Sequence, residues 1–352
     1  MKYLYPLLLF IPVVIAAQIL HGSETLIFVA AALSIIPLAG LLGKATESLA
    51  HHTGPRIGGL LNATLGNAAE LIITIVALRA GLVDVVKASI TGSIIGNLLL
   101  VLGASLLAGG LKNGAQHFSS RTASTNASMM TLAIIGLAVP AVFGPAVHEH
   151  RELSLIELNV AVAAALMIGY VLSLIFSLTA PEEARAGTAE PGDELVESGP
   201  AWPLRLALVL LAASVAAMAY LSEALVGSLE PLLETSGLSP VFVGVIVIPI
   251  IGNIAEHTVA VQVALKNQME LSLGVSMGSS MQIALFVAPL LVFISLLFGK
   301  PMLLTFSGLE LAALGMGVVI ASLISLDGES NWLEGALLLL VYAILAFGFF
   351  FV

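Results

Sequence analysis

Hydrophobic positions run along this chain in long unbroken stretches, and polar residues collect in the short gaps between them. A helix that spans a bilayer needs about 20 mostly apolar residues. Measured between charges, the stretches predict eleven such helices, near 3–20, 25–49, 57–79, 85–110, 123–147, 153–179, 203–227, 239–265, 270–298, 305–326 and 333–352. The stretches are continuous rather than alternating ten-residue segments, so membrane strands are not expected. The first, behind Lys2 and closing near Ala16 and Ala17, shares features with a signal peptide. Its uncharged length from Tyr3 to Leu20 suits a retained leading helix.

One segment breaks the pattern. Residues 181–200 read PEEARAGTAEPGDELVESGP, acidic and rich in proline and glycine, as a solvated linker does. The apolar chain on either side of it repeats. A shift of 186 places Gly58 on Gly244, Gly66 on Gly252, Asn67 on Asn253, Glu70 on Glu256, Gly92 on Gly278 and Ser93 on Ser279, with no gap. The expected organisation is a leading helix (1–22), a first five-helix repeat (23–180), the linker (181–201) and a second five-helix repeat (202–352). Five is odd, so the second copy must enter the membrane inverted. That is the plan of an all-α, polytopic secondary transporter whose site lies near the midplane between repeats.

Composition narrows the options. Only 10% of residues are charged, against about 25% in soluble domains. The net charge of −10 and the lack of a basic tail argue against a nucleic-acid partner. The absence of cysteine rules out disulfides and thiolate metal sites. HExxH is missing, and the one GxSxG string, GVSMG (274–278), falls inside an apolar stretch and not at a strand-to-helix elbow, so an intramembrane enzyme is not expected and no cofactor is implied. Lys2, Arg56, Lys112, Arg121, Arg185, Arg205 and Lys266 would share one face of the membrane, and Arg79, Lys87, Arg151 and Lys300 the other. This bias places the N-terminus and the linker in the cytoplasm.

GNAAEL (66–71) and GNIAEH (252–257) each set one glutamate inside an apolar run. A charge at the bilayer centre costs at least ~2.5–3.5 kcal/mol, and intramembrane ionisable residues are functional by default. Asn67 and Asn253 lie three residues earlier, on the same helix face as Glu70 and Glu256. Gly66 and Gly252 weaken the helix there, and Pro249 makes a break more expected in the second copy. TGSIIGN (91–97) and MGSSMQI (277–283) follow in the next helix of each repeat. Their Ser93, Asn97, Ser279 and Gln282 offer neutral oxygens, although small residues there also serve helix packing. Glu47 and Glu223, near the ends of the second and seventh helices, are either solvated interfacial acids or vestibule carboxylates that capture cations or pass protons. His257 has Leu71 as its counterpart, so the copies differ chemically; it either couples to protons or hydrogen-bonds between helices. His51 and His52 read as interfacial loop residues.

An all-oxygen site suits a hard divalent cation, with Ca²⁺ first because it accepts flexible coordination. Glu70 and Glu256 with Ca²⁺ sum to zero charge, and so does the doubly protonated pair. The empty, ionised pair carries −2 and is heavily disfavoured in low dielectric. If only neutral forms cross, the outcome is obligatory exchange of cation for protons. The partners are then a divalent cation, protons and the lipid bilayer.

These motifs, together with GPRIGGLLNATLGNAAEL and GSSMQIALFVAP, resemble the paired repeat motifs of the calcium:proton antiporters, the cation/proton exchanger family. The resemblance spans nearly the whole chain. It implies that Glu70 and Glu256 bind calcium and exchange it for protons, that the asparagines and Gly-Ser segments line the site, and that Glu47 and Glu223 flank the pathway. It also implies sliding of the second and seventh helices as the access switch. A sodium-coupled calcium exchanger of the same superfamily is the first alternative. A cation channel, which would conduct without counter-transport, is the second.

Overall fold

The computed structural model describes residues 4–148, 152–179 and 202–352. The acidic linker lies outside the described residues. The described residues are helical almost throughout. A leading helix is built from a 3₁₀ turn (Tyr5–Leu9) and α1 (Phe10–Ile19), and α2 (Glu24–Thr53) follows. The next crossing is made of two pieces, α3 (Pro55–Leu65) and α4 (Ala68–Ala80). Then come α5 (Val83–Asn113), α6 (Ser120–His148) and α7 (Glu152–Thr179). After the linker the order is α8 (Leu204–Gly227), a short α9 (Leu229–Ser236), α10 (Pro240–Leu265), α11 (Met269–Leu297), α12 (Gly308–Ser325) and α13 (Trp332–Phe350). Among the described residues, nine helices are long and apolar enough to cross a membrane. The shorter apolar Tyr5–Ile19 segment and the α3–α4 pair complete the eleven read from the sequence. The chain is an integral, multi-pass membrane protein. Its outer faces carry exposed large apolar side chains such as Ile135, Phe143, Ile168, Val209, Val319, Ile344 and Phe347, as a surface bathed in lipid does.

Packing divides the chain into two compact units that each draw on both sequence halves. One holds Met1–Ser89, Gly192–Glu256 and Phe349–Val352; the other holds Ile90–Pro191 and His257–Gly348. In the first unit α8 packs along α2, with a core that includes Ile27, Ile35, Leu38, Met218, Leu221 and Leu225. The same core takes in Ala69 and Ile73 of α4 and Ile251 and Ala255 of α10, which fixes both motif helices against it.

A clamp closes one end of the α2–α8 pair. Lys44, Ser48 and His52 recur one turn apart, so they share a face of α2. All three engage Trp202. The Lys44 ammonium lies 5.0 Å from its ring centroid, its backbone N–H donates to Ser48 Oγ at 3.3 Å, and its carbonyl meets His52 Nε2 at 2.8 Å. His52 is thus in the last turn of α2 rather than in a loop. Trp202→Ala removes the ring but leaves the two backbone contacts. It is expected to cost about 1–2 kcal/mol, seen as a lower melting midpoint in detergent, with Trp202→Phe recovering part of the loss.

In the second unit, side chains join the loops. Gln116 Nε2 donates to the Ala264 carbonyl at 2.9 Å, and Glu270 accepts from Ser119 N and Thr122 Oγ1 at 3.3 and 3.2 Å. A two-residue antiparallel ladder pairs Gln116 with Ser330 and His117 with Glu329. It is confined to loops, so no strand crosses the membrane among the described residues.

Among the described residues, three wide π-turns interrupt the helices, at Gly96–Val101, Val243–Val247 and Ile283–Val287. The first and third fall at equivalent places in the two repeats. The second and third each end two residues before a proline, Pro249 and Pro289. A proline cannot donate to the carbonyl four residues back, and here that carbonyl (Val245 or Leu285) sits inside the widened turn.

Candidate cation site

The two glutamate motifs fold differently. In the first, the helix breaks at Gly66–Asn67, and α4 starts anew at Ala68. Asn67 leaves helical geometry (φ −93, ψ 28), and Glu70 falls in the first turn of α4. The backbone N–H groups at such a start carry partial positive charge and favour an anion. In the second motif, α10 runs as an α-helix from Ile248 to Leu265, straight through Pro249, Gly252 and Asn253. The expectation that Pro249 would break the second copy is therefore corrected. Its missing hydrogen bond is absorbed by the π-turn just before it, and the α-helix resumes at Ile248.

Glu70, Asn67, Glu256 and Asn253 all belong to the first unit. Glu70 is 6% exposed and Asn67 3%, while Glu256 is half-buried. The Glu70 carboxyl lies directly on Gly252: a methyl there would sit 2.9 Å from Glu70 Oε1. Gly252 is one helical turn before Glu256, so the two sit on one face of α10. Glu70 Oε1 is buried and has no hydrogen-bond partner. Asn253 Nδ2 donates to the Pro249 carbonyl at 3.0 Å, which commits its NH₂ end to the helix and makes its oxygen the end able to ligate. One buried and one half-buried carboxyl beside amide oxygens are groups suited to a positive charge.

The other predicted residues are placed as follows. Ser93, Ser279 and Gln282 are buried in the second unit, and so is Asn97, whose Nδ2 has no hydrogen-bond partner. Asn97 lies in the first π-turn and Gln282 directly precedes the third. Such turns recur at functional sites. His257 opens the second unit; as the neighbour of Glu256 it points about 100° away round the helix, off the Asn253–Glu256 face. Glu47 is half-buried on α2. Glu223 is exposed and forms an ion pair with Arg79, in the last turn of α4.

Two features escaped sequence reasoning. Glu310 is 5% exposed, and accepts from the Ser307 backbone N–H at 2.8 Å and from Thr91 Oγ1 at 3.4 Å. Its signal was present in Ser307-x-x-Glu310, a capping box at the start of α12. The seating of Glu70 on Gly252 left no local signal, because the two residues meet only through the fold.

A family model described as sodium/calcium exchanger protein matches residues 23–179 and 206–351. The chain belongs to the sodium/calcium exchanger protein family. A Ca(2+)/H(+) antiporter of Aphanothece halophytica is 47% identical over 357 residues, covering 99% of this chain and 96% of that protein. The Ca(2+)/H(+) antiporter ChaA of Bacillus subtilis is 41% identical, over 97% of this chain and 96% of its own. The structure of native YfkE superimposes with a TM-score of 0.85 at 38% identity, covering 99% of this chain and all of that one. The two matched segments leave out residues 180–205 between them.

Proposed function

We propose that the chain is an antiporter that exchanges Ca²⁺ for H⁺ by alternating access, with Glu70 and Glu256 receiving either the cation or the protons. The observation that carries this reading is the buried Glu70 carboxyl with an unsatisfied oxygen, seated on Gly252 one turn from Glu256. Two ionised carboxylates cancel one Ca²⁺; two protons cancel the same charge. The empty pair at −2 is too costly in a low-dielectric interior to cross, so each passage carries one cargo or the other. Asn253, on the Glu256 face of α10, and Asn67, at the break three residues before Glu70, are candidate neutral oxygen donors. Ser93, Ser279 and Gln282 are further candidate ligands by motif position, and Glu47, Glu223 and His257 candidate pathway groups. Full-length likeness to proteins named Ca(2+)/H(+) antiporters supports the choice of ions. The N-terminus and the linker are assigned to the cytoplasm on the Lys/Arg bias.

The test is transport by purified protein in sodium-free vesicles. An imposed pH gradient is expected to drive Ca²⁺ uptake that a protonophore collapses. The family description favours one second reading, coupling to sodium. Uptake that ignores the pH gradient and requires a sodium gradient would overturn the proton assignment in its favour.

A further inference from the structure

We propose that Gly252 is a positioning residue for the exchange: the space left by its missing side chain is the seat that sets where the Glu70 carboxyl rests relative to Glu256. This rests on the reading of the two glutamates as the exchange site. The three atoms nearest to a methyl added at 252 all belong to the Glu70 side chain: Oε1 at 2.9 Å, Cδ at 3.4 Å and Cγ at 3.5 Å. No backbone atom is among these nearest neighbours. The backbone itself does not ask for glycine here, since α10 is regular at this point and φ at position 252 is not positive. Glycine is also a poorer residue than alanine inside a helix. The demand for glycine therefore comes from the Glu70 side chain.

Gly244 and Gly58 are different. A methyl at Gly244 would press on the Val85 carbonyl oxygen at 3.0 Å and Ala88 Cβ at 2.5 Å, and one at Gly58 on the Ala50 carbonyl oxygen at 2.9 Å. Those neighbours are backbone or a short, fixed side chain. At Gly252 the neighbour is the far end of a flexible side chain, so the fold accommodates a methyl by moving the carboxylate. Gly252 thereby sets the geometry of the cation seat while adding no atom to it.

The experiment is a double-mutant cycle of Gly252→Ala and Glu70→Asp in proton-driven Ca²⁺ uptake, with melting midpoints measured alongside. Gly252→Ala is expected to raise the KM for Ca²⁺ about 10-fold without lowering the midpoint. Aspartate withdraws the carboxylate from position 252, so in the Glu70→Asp background the same methyl is expected to change KM less than about 2-fold. An equal effect of the methyl in both backgrounds, or no effect in either, overturns the proposal. If Gly252→Ala fails to fold, Glu70→Ala in the same chain must restore folding; failure to restore it also overturns the proposal. Glu70→Gln and Glu256→Gln run as controls. If they abolish exchange while Gly252→Ala is inert, only the seat is wrong; if they transport, the underlying site assignment is wrong.

Discussion

Glu70→Gln and Glu256→Gln are each expected to abolish proton-driven Ca²⁺ uptake, by about 100-fold or more, while the protein remains folded and monodisperse. The substitution keeps shape and removes one ionisable group. With Ca²⁺ bound the site then carries +1, and with the remaining carboxyl protonated it is neutral. The cation-loaded form is left with an uncompensated charge, which costs at least ~2.5–3.5 kcal/mol at membrane depth. Each ~1.4 kcal/mol is a factor of ten, so loaded crossings fall by roughly two orders of magnitude. The ion-free protein should not suffer: each amide keeps the side chain's shape and removes one acidic group from the Glu70–Gly252–Glu256 region. Its melting midpoint without Ca²⁺ is expected to hold or rise, while stabilisation by added Ca²⁺ disappears. Near-normal uptake by either variant would defeat the two-carboxylate mechanism.

Gly335→Val is expected to prevent accumulation of folded protein. A Cβ at this position of α13 would lie 2.2 Å from Leu107 N, 2.6 Å from the Gly103 carbonyl oxygen and 2.8 Å from Leu106 C. These are all backbone atoms of α5, so α5 and α13 cross with their main chains in contact, as small residues allow in membrane proteins. Valine must push two helices apart, which costs about 3 kcal/mol or more. Gly348, also in α13, provides the control, because a methyl added there would meet nothing within 4 Å. Gly348→Ala is expected to be neutral within about 0.5 kcal/mol. Size-exclusion profiles and melting midpoints of the two variants check both statements, and a stable Gly335→Val protein would refute the crossing.

The helices were legible because lipid imposes a simple rule on the chain. The fourth was expected at 85–110 and spans Val83–Asn113; the ninth was expected at 270–298 and spans Met269–Leu297. Glu70 and Glu256 stood out for the same reason, since a carboxylate inside an apolar run is costly and seldom accidental. What remained hidden depends on pairs that the sequence does not bring near each other. Lys44, Ser48 and His52 form a readable stripe, yet nothing local announces that Trp202 will dock on it. Gly252 read as a weak point in a helix; in the fold it is a close contact for a side chain from the other repeat. Pro249 misled for a related reason. The strain of a proline can be taken up one turn earlier, here in a widened turn whose Val243 and Gly244 are buried.

The widened turn at Val243–Val247 also constrains how this protein can change over time. It accommodates one residue more than an ordinary α-turn. Deleting that residue would leave a continuous apolar helix, invisible to any hydropathy profile, but would rotate everything before it by about 100°. Gly244 would then swing away from Ala88, where a neighbour without a side chain is required, and a bulkier residue would take its place. A single-residue gap that looks harmless in an alignment of greasy segments would thus be selected against here, while gaps in the loops outside the helices carry no such penalty.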